Sequence, residues 1–349
     1  MRILSVFLIA FAYVVAGCAR ADDVSDFYRG RQIQMIIGYG PGGGYDLNAR
    51  LLARHMVHFI PGAPIIVAQN MPGAGSARAA SYVHSAAPRD GTVIGAVDRQ
   101  LGLSAVLGGN PAIKFGARDI NWLGTLSSYA NDAFVLWVRK DAAAKSTADL
   151  LRPGGPEVKV GGSAAGSTDD VTVIILREVT GMRLNLITGY PDGNAISLAL
   201  ERGEVEGRTA GLGAIASTRP DWLRPDSPVR PFLQVGRLTR LPSLPDVPTA
   251  RELVRDDRGR SIVEAMELTY QVARPFIMPP GIPPERQAAL RKAMMDAANS
   301  AAYREEATRM SLDISPLEGA QVARLVADMD KAPPEALAYL RKLLSMDGQ

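Results

Sequence analysis

The chain contains few of the residues from which catalytic and metal sites are usually built. Its 349 residues include one cysteine and three histidines, and aromatic residues make up 6%. A single cysteine excludes an internal disulfide framework and a cysteine-based zinc site. His55, His58 and His84 fall on two predicted helices, and no acidic residue lies near the first two in sequence. A solvated helix face is therefore favoured over a metal site, and we expect no enzymatic activity, catalytic residue, metal or cofactor.

Blocks of like charge are also missing. The chain carries 39 basic and 36 acidic residues, a formal net charge of +3, and its arginines are scattered along the sequence. This scatter makes nucleic acid a poor candidate for the partner. The content of 47% hydrophobic and 21% charged residues is ordinary for a globular protein. The length allows two medium lobes with ample core.

The apolar run near the N-terminus is too short to span a bilayer comfortably. It follows a single basic residue, reads ILSVFLIAFAYVV and predicts an export signal over residues 1–21. Two processing sites overlap behind it. Val15–Cys18 resembles a lipobox, in which Cys18 would be acylated and which is favoured, whereas Ala19–Ala21 fits the A-x-A pattern of ordinary signal peptidase. Either route predicts a periplasmic protein, soluble or held to the membrane by a lipid on Cys18.

Hydrophobic periodicity predicts two α/β units of the same build. The first unit alternates three strands, RQIQMIIGYG, PIIVAQN and GTVIGAV, with two amphipathic helices. The second unit repeats this order between residues 157 and 211. We expect an α/β fold with two lobes of mainly parallel sheet around a ligand cleft. Lobe 1 would comprise residues 24–122 and 240–349, with the C-terminal helices, and lobe 2 residues 123–239.

The stretch MIIGYGPGGGYD contains a dinucleotide-binding fingerprint, since Gly38, Gly40 and Gly43 satisfy G-x-G-x-x-G. That function requires an acidic residue about twenty positions further on. No acidic residue occurs between positions 47 and 89, and Pro41 removes one of the phosphate-binding amides. The remaining chemistry is a helix N-terminus with free amides, which favours a carboxylate or another small anion. A glycine turn without any binding role is the alternative.

The combined segments resemble the substrate-binding proteins of tripartite tricarboxylate transporters, the Bug family. The resemblance rests on the segments RQIQMIIGYGPGGGYDLNARLLARHM, VAQNMPGAGSARAASYVHSAAPRDGTVIG, VGGSAAGSTDD, GYPDGNAISLALERGEVEGR and MPPGIPPERQAALRKAM. It covers nearly all of the mature chain in order. It implies a type II periplasmic-binding-protein fold, a small organic carboxylate as ligand, and delivery to the membrane subunits of a transporter. We expect a monomer, and a sensor that presents its ligand to a signalling kinase is the alternative function.

Family members grip one carboxylate of the ligand between two loops, one from each lobe. The resemblance places these loops at Tyr39–Asp46 and Gly162–Thr168. The candidate ligand-binding residues on the two loops are Tyr39, Gly42, Gly43, Gly44, Tyr45, Asp46, Ser163, Ala164, Gly166, Ser167 and Thr168. Two alternatives remain open. Ser167 or Thr168 can simply cap the following helix, and Asp46 is favoured as a partner of its own first helical turn.

Three further candidates lie outside these loops. Arg99 stands just past the third strand, where its guanidinium can bind a carboxylate through two hydrogen bonds. A salt bridge to the neighbouring Asp98 is the alternative. Tyr190 and Asn194 flank a Pro-Asp-Gly turn at another strand end and can line the second lobe.

Asp169 and Asp170 depart from the pattern of the family, many members of which carry a histidine about where Asp170 stands. Two carboxylates at a helix N-terminus suit the helix dipole but oppose an anionic ligand nearby. We therefore expect both to point away from the cleft. If one of them faces it, the ligand should carry a cationic or hydroxyl group in addition to a carboxylate.

Overall fold

The computed structural model describes residues 24–344. The predicted export signal, with Cys18, lies outside these residues. In the described part of the chain no helix combines the length and apolar character needed to cross a membrane.

After a helical segment at residues 24–28, the described residues form eleven strands and twelve further α-helices. In chain order the strands are β1 (Gln32–Ile37), β2 (Ile65–Asn70), β3 (Val93–Ala96), β4 (Asn121–Thr125), β5 (Phe134–Arg139), β6 (Val158–Gly161), β7 (Leu184–Ile187), β8 (Gly207–Gly211), β9 (Val229–Val235), β10 (Pro275–Met278) and β11 (Leu317–Glu318). The helices are α1 (Gly44–Met56), α2 (Ala77–Ser85), α3 (Leu101–Leu107), α4 (Thr147–Leu151), α5 (Thr168–Thr180), α6 (Gly193–Arg202), α7 (Leu212–Thr218), α8 (Asp257–Tyr270), α9 (Pro284–Asn299), α10 (Ala301–Arg309), α11 (Gly319–Met329) and α12 (Pro334–Leu344).

Two sheets organise the two lobes. The first has the strand order β11-β4-β10-β3-β1-β2, and the second has the order β7-β6-β8-β5-β9. Strand β1 pairs in parallel with β2 and β3, and β6 pairs in parallel with β7 and β8. These are the two α/β units that the periodicity predicts. The remaining strands, β4, β5, β9, β10 and β11, join through antiparallel pairs, so each sheet is mixed rather than mainly parallel. The carboxyl ends of both parallel sets are directed towards the space between the lobes, which positions the loops that follow them.

Strand β1 lies between β3 and β2 in the first sheet and carries apolar residues on both of its faces. Met35 and Ile37 pack with Leu52 and Met56 of α1, whereas Ile36 faces the opposite core beside Val83 of α2. A strand that is buried on both faces shows a continuous apolar run rather than an alternating one.

The chain passes between the sheets twice, from β4 to β5 and from β9 through α8 to β10. The crossing segments are joined side by side, because Ala273 N donates to Ser127 O at 3.0 Å and Leu126 N donates to Arg274 O at 3.2 Å. The expected lobe boundary between residues 122 and 123 falls inside β4, which belongs to the first sheet along its whole length. Paired crossing segments of this kind can act as a hinge.

Candidate functional site

A small cavity lies between the lobes at the carboxyl ends of the parallel strands. Its volume is about 70 Å³. The first lobe contributes Tyr39, Gly43, Gly44, Tyr45, Arg99 and Arg274 to its lining. The second contributes Phe134, Thr168, Asp169, Asp192 and Arg208, among others. We call this space the interlobe cavity.

A larger groove of about 650 Å³ lies between α7 and the segment after α10, and its lining includes Leu212, Leu244 and Leu312. Size alone would favour this groove as a ligand site. We place the candidate site in the interlobe cavity instead, because both predicted loops meet there and a buried arginine with unpaired donors lines it.

Arg99 is held in the interlobe cavity by aromatic rings. The side chain is 2% exposed, and its guanidinium carbon lies 4.5 Å from the ring centre of Tyr129, 5.2 Å from that of Phe134 and 5.0 Å from that of Tyr270. Nη2 donates to the Tyr129 hydroxyl at 3.2 Å. Nε and Nη1 have no hydrogen-bond partner among residues 24–344. Buried guanidinium N–H groups without a partner keep the capacity to donate to an anion such as a carboxylate.

The alternative salt bridge between Arg99 and Asp98 does not form within the described residues. Asp98 instead accepts hydrogen bonds from the Tyr39 hydroxyl, from Thr168 Oγ1 at 2.7 Å and from Gln100 N at 2.7 Å. Its carboxylate is therefore occupied. Because Thr168 belongs to the second lobe, Asp98 also links the two lobes at the edge of the cavity. Burial and the nearby Asp98 carboxylate raise the pKa of Tyr39, so its hydroxyl stays protonated as a donor.

The glycine loop places the N-terminus of α1 at the cavity. Gly43 and Gly44 line it, and the rings of Tyr39 and Tyr45 stack at 4.7 Å with an angle of 12° between their planes. Gly40 allows the closest approach of the other lobe, because a Cβ at this position would overlap the carboxylate of Asp192.

Asp46 organises the glycine loop from outside the cavity lining. Its Oδ2 accepts from Gly42 N at 2.9 Å, and its Oδ1 accepts from Arg50 Nε and Asn70 Nδ2, both at 2.8 Å. This is the helix-partner role that the sequence favours for Asp46. Gly42 also lies outside the lining, next to the Asn194 amide.

The second loop brings only Thr168 to the cavity lining. Ser167 caps α5, since its Oγ accepts from Asp170 N at 3.3 Å and also from Ala164 N at 3.4 Å. Ser167 is fully buried, and Gly75 of the first lobe packs directly against its backbone. The other candidates outside the lining are Ser163, Ala164, Gly166, Tyr190 and Asn194.

The expectation that Asp169 and Asp170 both point away from the cleft is wrong for Asp169. Asp170 is buried and turns away, accepting from Thr188 Oγ1 at 2.6 Å, but Asp169 lines the interlobe cavity. Consecutive helical residues project about 100° apart, so the first turn cannot direct both carboxylates the same way. Burial raises the pKa of Asp169 to about 7, and Arg208 opposes that increase.

Sequence reasoning missed two arginines of the cavity. Arg208 lies on β8, and its Nη1 donates to Gly193 O at 2.5 Å and to the Ser197 hydroxyl. Arg274 ends the second crossing segment, with its guanidinium carbon 4.9 Å from the Tyr45 ring centre. A charged residue inside the small-residue strand VEGRTAG is a signal that could have identified Arg208, since a buried arginine requires partners.

Comparison with known proteins identifies the family. The family model described as the tripartite tricarboxylate transporter family receptor matches residues 49–335. The chain belongs to this receptor family. Membership confirms the resemblance seen in the sequence, and members of the family are periplasmic substrate receptors rather than enzymes.

Solved structures show the same two-lobed fold. MatC from Rhodopseudomonas palustris, solved with bound malate, is 20% identical and superposes with a TM-score of 0.66 over 90% of this chain and 99% of its own. Rpa4515 of R. palustris, solved with adipate, is 21% identical with a TM-score of 0.66 over 89% of this chain and 97% of its own. A Cupriavidus necator protein, named UPF0065 protein in gbd 5'region, is 26% identical over 343 residues, 93% of this chain and 92% of its own. At these identities the structures establish the fold of the receptor.

Proposed function

We propose that the receptor binds a small organic carboxylate in the interlobe cavity and delivers it to the membrane subunits of a tripartite tricarboxylate transporter. The observation that supports this most strongly is Arg99, which lines the cavity and whose buried Nε and Nη1 have no hydrogen-bond partner among residues 24–344. Buried donors without partners cost free energy, which a ligand carboxylate would recover. The malate and adipate named with two structural relatives are ligands of the same chemical class.

The ligand would favour the closed arrangement of the lobes through groups on both sides. Arg99 and the N-terminus of α1 belong to the first lobe, and the N-terminus of α5 at Thr168 belongs to the second. Helix N-termini and a guanidinium all attract negative charge, so an anion between them draws the lobes together. The closed form would then be the one that the transporter recognises.

The N-terminal processing belongs to the same proposal. Cys18 stands at the acylation position of the lipobox, and a lipid there would hold the receptor near its membrane partner. Mass spectrometry of the mature chain tests this point. A diacylated Cys18 at the N-terminus supports the anchor, and a chain beginning at Asp22 contradicts it.

Replacement of Arg99 by methionine tests the binding site. Arg99→Met keeps an unbranched apolar stem but removes the guanidinium, so carboxylate affinity should fall at least about 30-fold. Without ligand Arg99→Met should melt at the same temperature as the wild type, because the substitution removes a buried charge whose N–H groups are only partly hydrogen-bonded. Arg118→Met is the matched control, since Arg118 is 93% exposed beside Asp330.

A thermal-shift panel of small carboxylates, with NAD included, supplies the ligands for that comparison. A ligand at a hundred times its Kd adds about 2.7 kcal/mol to the unfolding free energy, enough to move the melting temperature by several degrees. Calorimetry on the strongest ligand then compares the two variants. Equal affinities of wild type and Arg99→Met would contradict the site, and a response to NAD alone would contradict the ligand class.

Uptake measurements separate transport from signalling. Proteoliposomes that contain the membrane subunits of a tripartite tricarboxylate transporter should accumulate labelled ligand only when the receptor is added. Ligand binding without uptake, together with activation of a partner kinase, would establish the sensor function instead.

A further inference from the structure

Asp169 lines the same cavity as Arg99, and its carboxylate has no ion-pair partner among the described residues. Its Oδ2 accepts one long hydrogen bond, from Ser163 Oγ at 3.3 Å. Arg208 is the cation that acts on it most strongly, yet no ion pair within 4 Å joins the two in the described chain, and Arg208 Nη1 is engaged by the second lobe itself.

The other acidic groups around Asp169 already have partners. Asp98 accepts from Thr168 and Gln100, Asp170 accepts from Thr188, and Asp192 caps α6 by accepting from Ala195 N at 3.0 Å. Asp169 is therefore the acid of the cavity with the most capacity for a new donor. A ligand that presented a second carboxylate to it would meet electrostatic repulsion.

The charges of the lining also balance. Three arginines, at positions 99, 208 and 274, face three aspartates, at positions 98, 169 and 192. A ligand without net charge preserves this balance, whereas a dianion disturbs it in a site where burial weakens screening. The small volume of about 70 Å³, room for roughly five water-sized spheres, keeps the two poles within reach of one small molecule.

We propose that Arg99 and Asp169 form the two poles of a site for a small zwitterionic amino acid, with its carboxylate on Arg99 and its ammonium group on Asp169. This inference rests on the proposed function and makes Asp169 the residue that selects among carboxylates. The hydroxyl of Ser163 would position the Asp169 carboxylate from the side away from the ligand.

Matched ligands of equal length test the selection. Calorimetry would use alanine, lactate and propionate as one set, and aspartate, malate and succinate as the other. We expect the amino acid to bind at least about ten-fold more tightly than the hydroxy acid and the unsubstituted acid in the set that binds. Equal affinity for the hydroxy or unsubstituted acid would overturn the zwitterion inference.

The variant Asp169→Asn removes the negative pole at nearly constant volume. It should lose most of the preference for the amino acid while the affinity for the unsubstituted acid stays equal or improves. Asp257→Asn is the matched control, because Asp257 also lies in the first turn of a helix but is exposed. A preference that survives in Asp169→Asn would overturn the inference.

The release or uptake of protons when the ligand binds gives an independent test of the inference. Since the pKa of Asp169 is raised to about 7, an ammonium group that requires the ionised form should release protons on binding. The Kd of the amino acid should therefore rise, by up to about ten-fold, as the pH falls from 8 to 6. An anion that favours protonated Asp169 would show the opposite slope. Asp132, whose pKa is raised to about 6 by burial, lies outside the cavity lining, and only Asp169→Asn should abolish the linkage.

These outcomes also separate the two proposals. Absence of binding by every acid in both sets and in the thermal-shift panel would reject the proposed function itself. Binding of unsubstituted acids, strengthened by Asp169→Asn and lost in Arg99→Met, would reject the zwitterion inference and leave the carboxylate receptor in place.

Discussion

Arg99 shows how single residues prepare a site for an anion. Three aromatic rings within 5.2 Å of its guanidinium carbon stabilise the cation, and of the three residues that carry them only Tyr129 accepts a hydrogen bond, from Nη2. The remaining donors, Nε and Nη1, stay unpaired at the cavity within the described chain. Each buried donor without a partner costs about 1–3 kcal/mol, a cost that a ligand accepting its hydrogen bond would remove.

Asp46 gives a residue-scale prediction about the glycine loop. The side chain is 3% exposed and accepts from three groups, so Asp46→Ala would leave Gly42 N, Arg50 and Asn70 short of a partner. We expect the unfolding free energy to fall by about 2 kcal/mol in urea denaturation. Asp26→Ala is the control, because the Asp26 side chain, which pairs with Arg29, is 65% exposed. This variant should change the unfolding free energy by less than about 0.5 kcal/mol. Equal losses in the two variants would contradict the role of Asp46.

At the residue scale the sequence predicts positions better than orientations. Arg99 could be placed at the cavity because the carboxyl ends of parallel strands share one edge of a sheet. The three aromatic rings around Arg99 could not be predicted, because Tyr129, Phe134 and Tyr270 come from a crossing segment, a strand of the other lobe and α8. Asp169 was misjudged for a similar reason, since the direction of a first-turn side chain depends on how the helix docks.

At the scale of elements, the alternating strands and helices of both units follow from hydrophobic periodicity. The C-terminal helices expected in lobe 1 include α11 and α12, which are separated at Pro333 and Pro334 because proline cannot continue a preceding helix. The short helices α3 and α7, of seven residues each, were not predicted. Helix α8 was missed as well. It packs between α5 and α11, and a helix with neighbours on two sides lacks a single apolar stripe.

The contact between Gly75 and the cap of α5 gives an element-scale prediction. Gly75 has a φ of +56°, and a Cβ there would lie 2.9 Å from Ser167 N. Gly75→Ala should therefore push the loop that contains Gly75 away from the loop that contains Ser167. Ligand binding should weaken by about ten-fold, because the arrangement with the lobes together loses this close packing.

Gly109→Ala provides the control for backbone strain. Gly109 has a φ of +83°, and a Cβ there would meet nothing within 4 Å. Both variants should lose about 1 kcal/mol of stability, but only Gly75→Ala should bind ligand more weakly. Calorimetry and urea denaturation measure the two effects separately. Equal affinities of the two variants would show that the Gly75 contact does not control closure.

At the scale of the whole molecule, two sheets joined by paired crossing segments enclose a cavity to which both contribute. Ala273 and Ser127 bind the crossing segments to each other, while Asp98 and Thr168 join the lobes at the far edge of the cavity. The second link can break without disturbing either sheet. We therefore expect the molecule to open at the Asp98–Thr168 edge and to turn about the crossing segments.

The most direct test of the central claim is the distance between the lobes, measured by fluorescence transfer with and without ligand. A chain that begins at Asp22 lacks Cys18, so Arg54→Cys and Leu198→Cys supply the two labelling sites. These side chains are 53% and 43% exposed on α1 and α6, the helices that follow facing loops. We predict that a saturating carboxylate shortens the distance in this protein and leaves it unchanged when Arg99→Met is added. An unchanged distance in the protein with Arg99, at a ligand concentration that calorimetry shows to be saturating, would contradict closure on an Arg99-bound carboxylate.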